Sequence, residues 1–560
     1  MRRSRAVWFT ATVVTVLVLI GCAQPGSQQG QSVVGYAETA DQAPVPGKPG
    51  GTFRLGRLEP TAIDPYNVQE SEGIFVAHAL FTGLVEVSGD GTVSPGVAED
   101  WTVNADCSQW SFTLKRGTTF HNGEPVTAES FQRGWQRVAG KDSGSEVAYH
   151  LDEIQGYPEL RDGSAATFSG VDATDPNVLR VTLAQPDCEF MLRTSHPAFS
   201  PVPAVAGRAD NQVFNNQPIG NGPFMMDGPW LHNHGIRLVR FENYTIGHKA
   251  NLDAVEISMM PADTGLQAEY NGFVGGQFDF ARIPTPLLAQ SRASYQPQGK
   301  WISKKTNGSN YLLIMVTTSP LNNPDARKAI SLAIDRTAIV QGIFQGAQTP
   351  ATTLIPRLFP NAYQPGVCTT CRYDPGQARK LAGQSGLTPG TMVHLQFNTG
   401  GGHEEWTAAM KQQLEQNLGL RVNYTGVPFS QLLDNAQQPS ASGMFVAVWI
   451  ADYPTPANYL IPLLATSSIG AGPNEPTSGD NRGRYSNPEF DRLLLEAQRT
   501  KDEKARNELY QQAERIAIGR DLALIPLWER QQYWLADTQK FGNIRIDFNE
   551  NPTIAEITLR

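Results

Sequence analysis

The sequence predicts a multi-lobed α/β protein, and three observations carry that reading. Its 560 residues exceed what one core holds and suit roughly two to four domains of about 100–200 residues. Glycine and proline together number 91, which implies many turns but falls far short of a collagen. Period-two and period-3.6 apolar patterns alternate along the chain without an internal repeat. With 18% charged and 40% hydrophobic residues, the body is globular and not disordered. The 54 acidic residues outweigh 45 basic ones, for a net charge of −9, so the basic footprint needed to coat nucleic acid is missing. A fibre and a polytopic membrane protein are excluded as well.

The front of the chain reads as an address. Arg2, Arg3 and Arg5 precede an uncharged stretch from Ala6 to Ile20, a signal-peptide pattern too short for a membrane span of about 20 residues. Its end, Leu19-Ile20-Gly21-Cys22, resembles the bacterial lipobox, in which the cysteine is lipidated and becomes the mature N-terminus. Cleavage before Cys22 would leave 539 residues and a net charge of −12. Residues 22–50 are rich in Gln, Gly, Pro and Ser and predict a flexible tether.

With Cys22 assigned to lipid, Cys107, Cys188, Cys368 and Cys371 remain. Four thiols in an oxidising compartment pair in one of three connectivities. A short Cys368–Cys371 bridge with Cys107–Cys188 as the other is favoured over redox chemistry. Zinc at the Cys368–Cys371 pair would need two further ligands that nothing nearby supplies.

Structure begins near Gly51 with a strand. Trp101 to Val103, a turn at Asn104–Asp106, and Trp110, Phe112 and Leu114 alternating with Ser111, Thr113 and Lys115 predict a half-buried hairpin. Thr127 caps a helix whose inner face is Phe131, Trp135 and Val138. Asn323-Pro324 starts a second helix, with Ala326, Ile330, Ala333 and Ile334 inward and Gly346 as its stop. A third spans about Asp502 to Ile518, with Leu509, Ala513 and Ile516 inward.

These segments also carry a family likeness. Val97–Trp101 (VAEDW), Trp110–Gly117 (WSFTLKRG), Phe120–Ala128 (FHNGEPVTA) and Pro218–Phe224 (PIGNGPF) resemble bacterial extracellular solute-binding proteins of family 5. So do Arg327–Arg336 (RKAISLAIDR), Tyr373–Pro375, Trp449–Tyr453 (WIADY) and Asn487–Asp491 (NPEFD). The family comprises the oligopeptide- and nickel-binding components of ABC importers. The resemblance implies a periplasmic-binding-protein-like clamshell of type II, in its large three-lobed variant. A split first lobe would use 51–85, 200–305 and 525–560, with a second lobe inserted at 86–199 and a third at 306–524. Hinge crossings would lie near Lys305–Asn307 and Ala523–Pro526, and ligand in the cleft would favour the closed form.

The resemblance also implies a site. In peptide-binding members the aspartate of the WIADY-type motif pairs with the ligand's α-ammonium, a role that falls on Asp452. An internal partner, an arginine or a helix N-terminus, is the competing reading. The strand before it, here Val448, Trp449 and Ile450, pairs with the peptide main chain as in strand addition. Leu58-Glu59-Pro60 would form the opposite edge, although Pro60 lacks an N–H. Tyr453, Asn307 and Tyr311 complete the expected ligand-binding set. Peptide side chains would then lie in water-filled pockets that tolerate many sequences.

Motifs for catalysis are missing. There is no Gly-x-Ser-x-Gly, no Walker A loop, and His403-Glu404-Glu405 lacks the second histidine of HExxH. His232-Asn233-His234 reads as a surface turn. The expectation is a monomeric, non-enzymatic oligopeptide receptor without cofactor or metal, touching the membrane only through its lipid. It would be held on the outer face of the cytoplasmic membrane, serving permease subunits with a separate ATPase. An oligosaccharide, a metal chelate or a sensing role without transport is the alternative.

Overall fold

In the Gln109–Leu114 strand, Trp110, Phe112 and Leu114 are buried while Gln109 and Thr113 face outward, the alternation that a sheet with one wet face requires. This strand pairs with Ala98–Val103 and Val178–Thr182 in a four-stranded antiparallel sheet closed by Val171–Asp175. The helix Ala128–Ala139 covers it, opened by a reciprocal capping box between Thr127 and Ser130. Phe131, Trp135, Phe112, Leu179 and Phe190 share one apolar core there. Disulfides join Cys107 to Cys188 and Cys368 to Cys371.

A computed structural model describes residues 36–39, 44–261, 264–470 and 472–560. The signal segment, Cys22 and most of the expected tether lie outside the described residues. The described part of that tether is not a free leash. Tyr36 packs edge-on against Tyr533, with the Arg292 guanidinium 4.4 Å from its ring centroid, and Thr39 N–H donates to the Ser303 carbonyl at 2.7 Å. Lys48 bridges Leu559. One aromatic anchor and a few main-chain bonds outweigh the polar composition that suggested looseness.

An 11-stranded mixed sheet carries the rest. One half stacks Arg421–Val427, Met392–Asn398, Met444–Ile450 and Trp301–Ile314; the other stacks Phe280–Arg282, Thr52–Leu58, Ala254–Met260, Gly235–Arg240 and Phe224–Met226. Leu524–Ala536 joins them. It runs antiparallel to Trp301–Ile314, and the register slips between Lys305/Gln531 and Ser309/Glu529. The bulge sits at Lys305–Ser309, while Ala523–Pro526 falls at the start of the strand, before its own irregular stretch. The two halves bury separate apolar cores, one around Leu312, Ile330, Tyr459 and Ile525 and one around Phe53, Leu80, Phe224 and Trp534.

Two helices differ from expectation. The segment after Asn323-Pro324 is a pair, Pro324–Ala333 and Arg336–Gly342. Ile334 takes an extended conformation and the Asp335 carboxylate caps the second helix at Ala338 N–H, a stop and restart that one apolar stripe hides. Glu503–Glu514 continues as a π-helix through Arg515–Arg520, and this turns Tyr510, Ala513 and Ala517 to the core, with Leu509 and Ile516 at its margin.

The helix Ala128–Ala139 is tied to the neighbouring core by a buried ion pair. Both Arg137 Nη atoms donate to Asp64 at 2.7 Å, with side-chain exposures of 2% and 1%. Arg137 also reaches Asn215 and lies over the Tyr66 and Phe214 rings. Removing one partner strands the other charge away from water, so Asp64→Ala is expected to cost about 3–5 kcal/mol. Asp64→Leu with Arg137→Met is expected to recover most of that loss in denaturant melts.

Candidate functional site

The strand Met444–Ile450 pairs along one edge with Gly308–Ile314. Its other edge meets Met392–Asn398 only at Met444 and Phe445, so Val446 to Ile450 offer main-chain groups with no strand partner there. Such an edge is a template for an added strand. Val448, Trp449 and Ile450 are half-buried along it.

Beyond Ile450 the chain turns through Ala451–Pro456 into the helix Ala457–Leu464. Asn458, on the first turn of that helix, organises the turn. Its Oδ1 accepts from Trp449 Nε1 at 3.1 Å and from Asp452 N–H at 3.0 Å, and its Nδ2 donates to Asp452 Oδ2 at 3.2 Å. Asn307, fully buried, donates to the Ala451 carbonyl at 3.0 Å, and Tyr459 Oη donates to the Asn307 carbonyl.

The Asp452 carboxyl is half-buried, and no ion pair forms to it among the described residues. Burial pushes it up to about 7; the Asn458 hydrogen bond opposes this and the neighbouring Asp480 carboxylate adds to it. Arg482 is committed to Asp480 at 2.7 Å. The internal partner of Asp452 is therefore an amide and not an arginine, and an amide does not neutralise a carboxylate.

Three rings from the four-stranded-sheet unit close over this point. Tyr149 stacks on His150 with centroids 4.3 Å apart, and His150 stacks on His196 at 3.9 Å. One nitrogen of each histidine and one Asp452 oxygen lie within 4.8 Å of one another. Burial holds His150 well below the usual imidazole range and pushes His196 down to about 3, so both rings are neutral. The set does not suit a metal. Nearly parallel stacked rings, 26° apart, aim their in-plane lone pairs side by side instead of at one centre. His196 Nδ1 also accepts from Ala198 N–H at 3.1 Å, which leaves its Nε2 as the protonated nitrogen.

The remaining expected residues fall differently. Tyr453 is buried, with the Arg193 guanidinium 5.8 Å from its ring centroid. Tyr311 is a buried core residue between Ala447 and Pro526. Glu59 is engaged elsewhere: its carboxylate meets His232 Nδ1 at 2.8 Å and Asn233 N–H at 2.6 Å. That contact belongs to the exposed turn closed by the Leu231–Gly235 bridge. The Thr52–Leu58 strand ends before Glu59, so the opposite edge does not include that side chain. Asn458, Tyr149, His150 and His196 were not singled out from sequence. Asn458 follows Asp452 by one helix start and was in principle findable, whereas the histidines come from a distant unit.

Comparison with known proteins places the fold. The family description "Bacterial extracellular solute-binding proteins, family 5 Middle" matches residues 92–471. The Escherichia coli probable deoxycholate-binding periplasmic protein YgiS is 28% identical over 498 residues, 87% of this chain and 89% of its own length. The Salmonella typhimurium periplasmic oligopeptide-binding protein OppA is 28% identical over 485 residues, covering 84% and 85%. In fold, the Escherichia coli murein tripeptide binding protein MppA superposes with a TM-score of 0.77 at 23% identity, covering 91% of this chain and 98% of that one. The clamshell architecture is thereby shown, and the chain belongs to the bacterial extracellular solute-binding proteins of family 5.

Proposed function

We propose that this protein captures oligopeptides with a free N-terminus and delivers them to an ABC importer. The carrying observation is Asp452, a half-buried carboxyl with no ion pair among the described residues, at the end of a sheet edge that has no strand partner among them. A peptide supplies both missing complements. Its α-ammonium neutralises Asp452, and its main chain adds to Val448, Trp449 and Ile450, which gives affinity independent of sequence. Asn307 holds the turn from beneath, and Tyr453 packs behind it. A bile-acid anion, the ligand class in the name of the YgiS relative, would instead set a carboxylate against Asp452 and so fits this point poorly.

In this reading the lobes are 51–85 with 200–305 and 525–560, then 86–199, and 306–524, with the paired strands Trp301–Ile314 and Leu524–Ala536 as the hinge. The N-terminal pattern ending in Gly21-Cys22 supports a cleaved, lipid-anchored, extracytoplasmic protein, which we take to act as a monomer. Permease subunits and a separate ATPase would complete the importer, and no catalytic step is assigned to this chain.

Native mass spectrometry of gently purified protein is expected to show co-purified peptides; sugar or metal chelate alone would refute the proposal. Asp452→Asn is expected to weaken free-N-terminus peptides by about 1.5–3 kcal/mol in calorimetry, the worth of a charge-assisted bond, and to leave N-acetylated peptides unchanged. The pH profile follows from the raised carboxyl. Below about 7 binding must first expel a proton from Asp452, so wild-type affinity should fall as pH drops through that value. It should fall again above roughly 8, where the peptide amine loses its charge. Asp452→Asn should flatten both limbs, because no carboxyl remains to take up a proton and no anion remains to pair with the amine's charge.

A further inference from the structure

Glu189 belongs to the four-stranded-sheet unit, yet its carboxylate is held by the unit that carries Asp452. Thr455 Oγ1 donates to its Oε1 at 2.8 Å and Tyr510 Oη to its Oε2 at 2.6 Å, while Arg506 pairs with it at 3.1 Å. Glu189 is buried, so these are desolvated, charge-assisted contacts. More bonds cross the same seam: Cys188 N–H to the Gln498 carbonyl at 2.7 Å, Gln498 Nε2 to Glu153 at 2.8 Å and Arg499 to Gln185 at 3.0 Å. The Cys107–Cys188 disulfide and an Asp187 bond to Glu189 N–H at 2.8 Å fix the backbone that presents the carboxylate.

The receiving side is the same short loop that forms the site. Thr455 lies three residues after Asp452, and its hydroxyl also accepts from Ala457 N–H at 3.2 Å, next to Asn458. We infer that Glu189 is a latch: a positioning residue that fastens the 86–199 unit to the Asp452 loop and sets ligand affinity by stabilising the closed arrangement, without touching the ligand. The inference rests on the proposal that a solute is enclosed between these units. A latch of this kind acts on every ligand alike, because apparent affinity scales with the population of the binding-competent closed state. Asp452, by contrast, discriminates between ligands with and without an ammonium.

The test compares a synthetic pool of random tetra- to hexapeptides, with free or acetylated N-termini, on wild type, Glu189→Ala and Thr455→Val. Thr455→Val deletes one latch bond at nearly constant volume and serves where Glu189→Ala fails to fold. The expected result is an equal loss for both pools, about tenfold for Glu189→Ala and smaller for Thr455→Val, carried by faster dissociation. Small-angle scattering of the ligand-free variants should show a more open particle than ligand-free wild type. Unchanged affinity and unchanged scattering in folded variants would overturn the latch, as would a loss confined to the free-N-terminus pool. The two readings fail separately. Should Asp452→Asn spare both pools while Glu189→Ala weakens both, the ammonium role falls and the latch stands.

Discussion

Among the described residues, the two halves of the large sheet meet through Leu524–Ala536, which runs antiparallel to Trp301–Ile314 on one side and to Phe280–Arg282 on the other. Strands on either side attach to one end of this ladder or the other: Met444–Ile450 pairs with residues 308–314, and Phe280–Arg282 with 534–536. Any bending between the halves must pass through the middle, where the register slips between Lys305 and Ser309. Bulges break the regular bonding and bend a strand locally. A Cβ at Gly308 would run into the Arg530 side chain, and Arg530 is itself pinned by two bonds to Glu550. In the proposed clamshell reading, this register slip between two well-packed cores is where the hinge would lie.

Charge placement differs between the two seams of the small sheet unit. Arg137 and Asp64 bind the small sheet unit to the core around Phe53 and Phe224 by a fully desolvated, bidentate pair flanked by two aromatic rings. Parting such ions without water to receive them costs several kcal/mol. Across the opposite seam, Glu189, Gln185 and Glu153 meet Thr455, Tyr510, Arg499 and Gln498 through mostly single bonds to side chains. Arg499 and Gln185 are exposed and rehydrate readily, whereas Glu189 is buried and also paired with Arg506 at 3.1 Å. The first contact behaves as a weld and the second as a fastening, although both are polar.

Much of this was legible beforehand in segments where local physics dominates. The Trp110–Leu114 alternation, the Thr127 cap and the Trp449–Tyr453 segment act through neighbours in sequence, and their elements lie near where those patterns place them. The single helix after Asn323 failed because Ile334 continues the apolar stripe while its backbone leaves the helix. Tyr36 looked like part of a loose leash because its partners, Trp301 and Tyr533, are hundreds of residues away. The contacts of Glu59 are distant for a similar reason. Its turn-forming partners His232 and Asn233 become neighbours only when Thr52–Leu58 and Gly235–Arg240 assemble on either side of Ala254–Met260. His150 and His196 reach Asp452 across lobes, a juxtaposition that no local period encodes.

The neutral histidines sharpen what the site asks of a ligand. Two imidazoles stacked near a carboxyl beside a phenol ring could have supplied positive charge, but burial keeps both unprotonated. Protonating either would place a cation in a dry pocket, a cost that the depressed values express directly. Arg482 is held by Asp480, and Arg193 by Glu153 and Asp187. Every nearby cation is therefore spoken for, and the local balance around Asp452 stays negative whenever its carboxyl ionises. In the proposed reading that imbalance is met by the ligand. The group that does so must be small, cationic and rich in hydrogen-bond donors, since Asn458 already occupies one carboxylate oxygen and the rings wall the other side. A primary ammonium meets all three conditions.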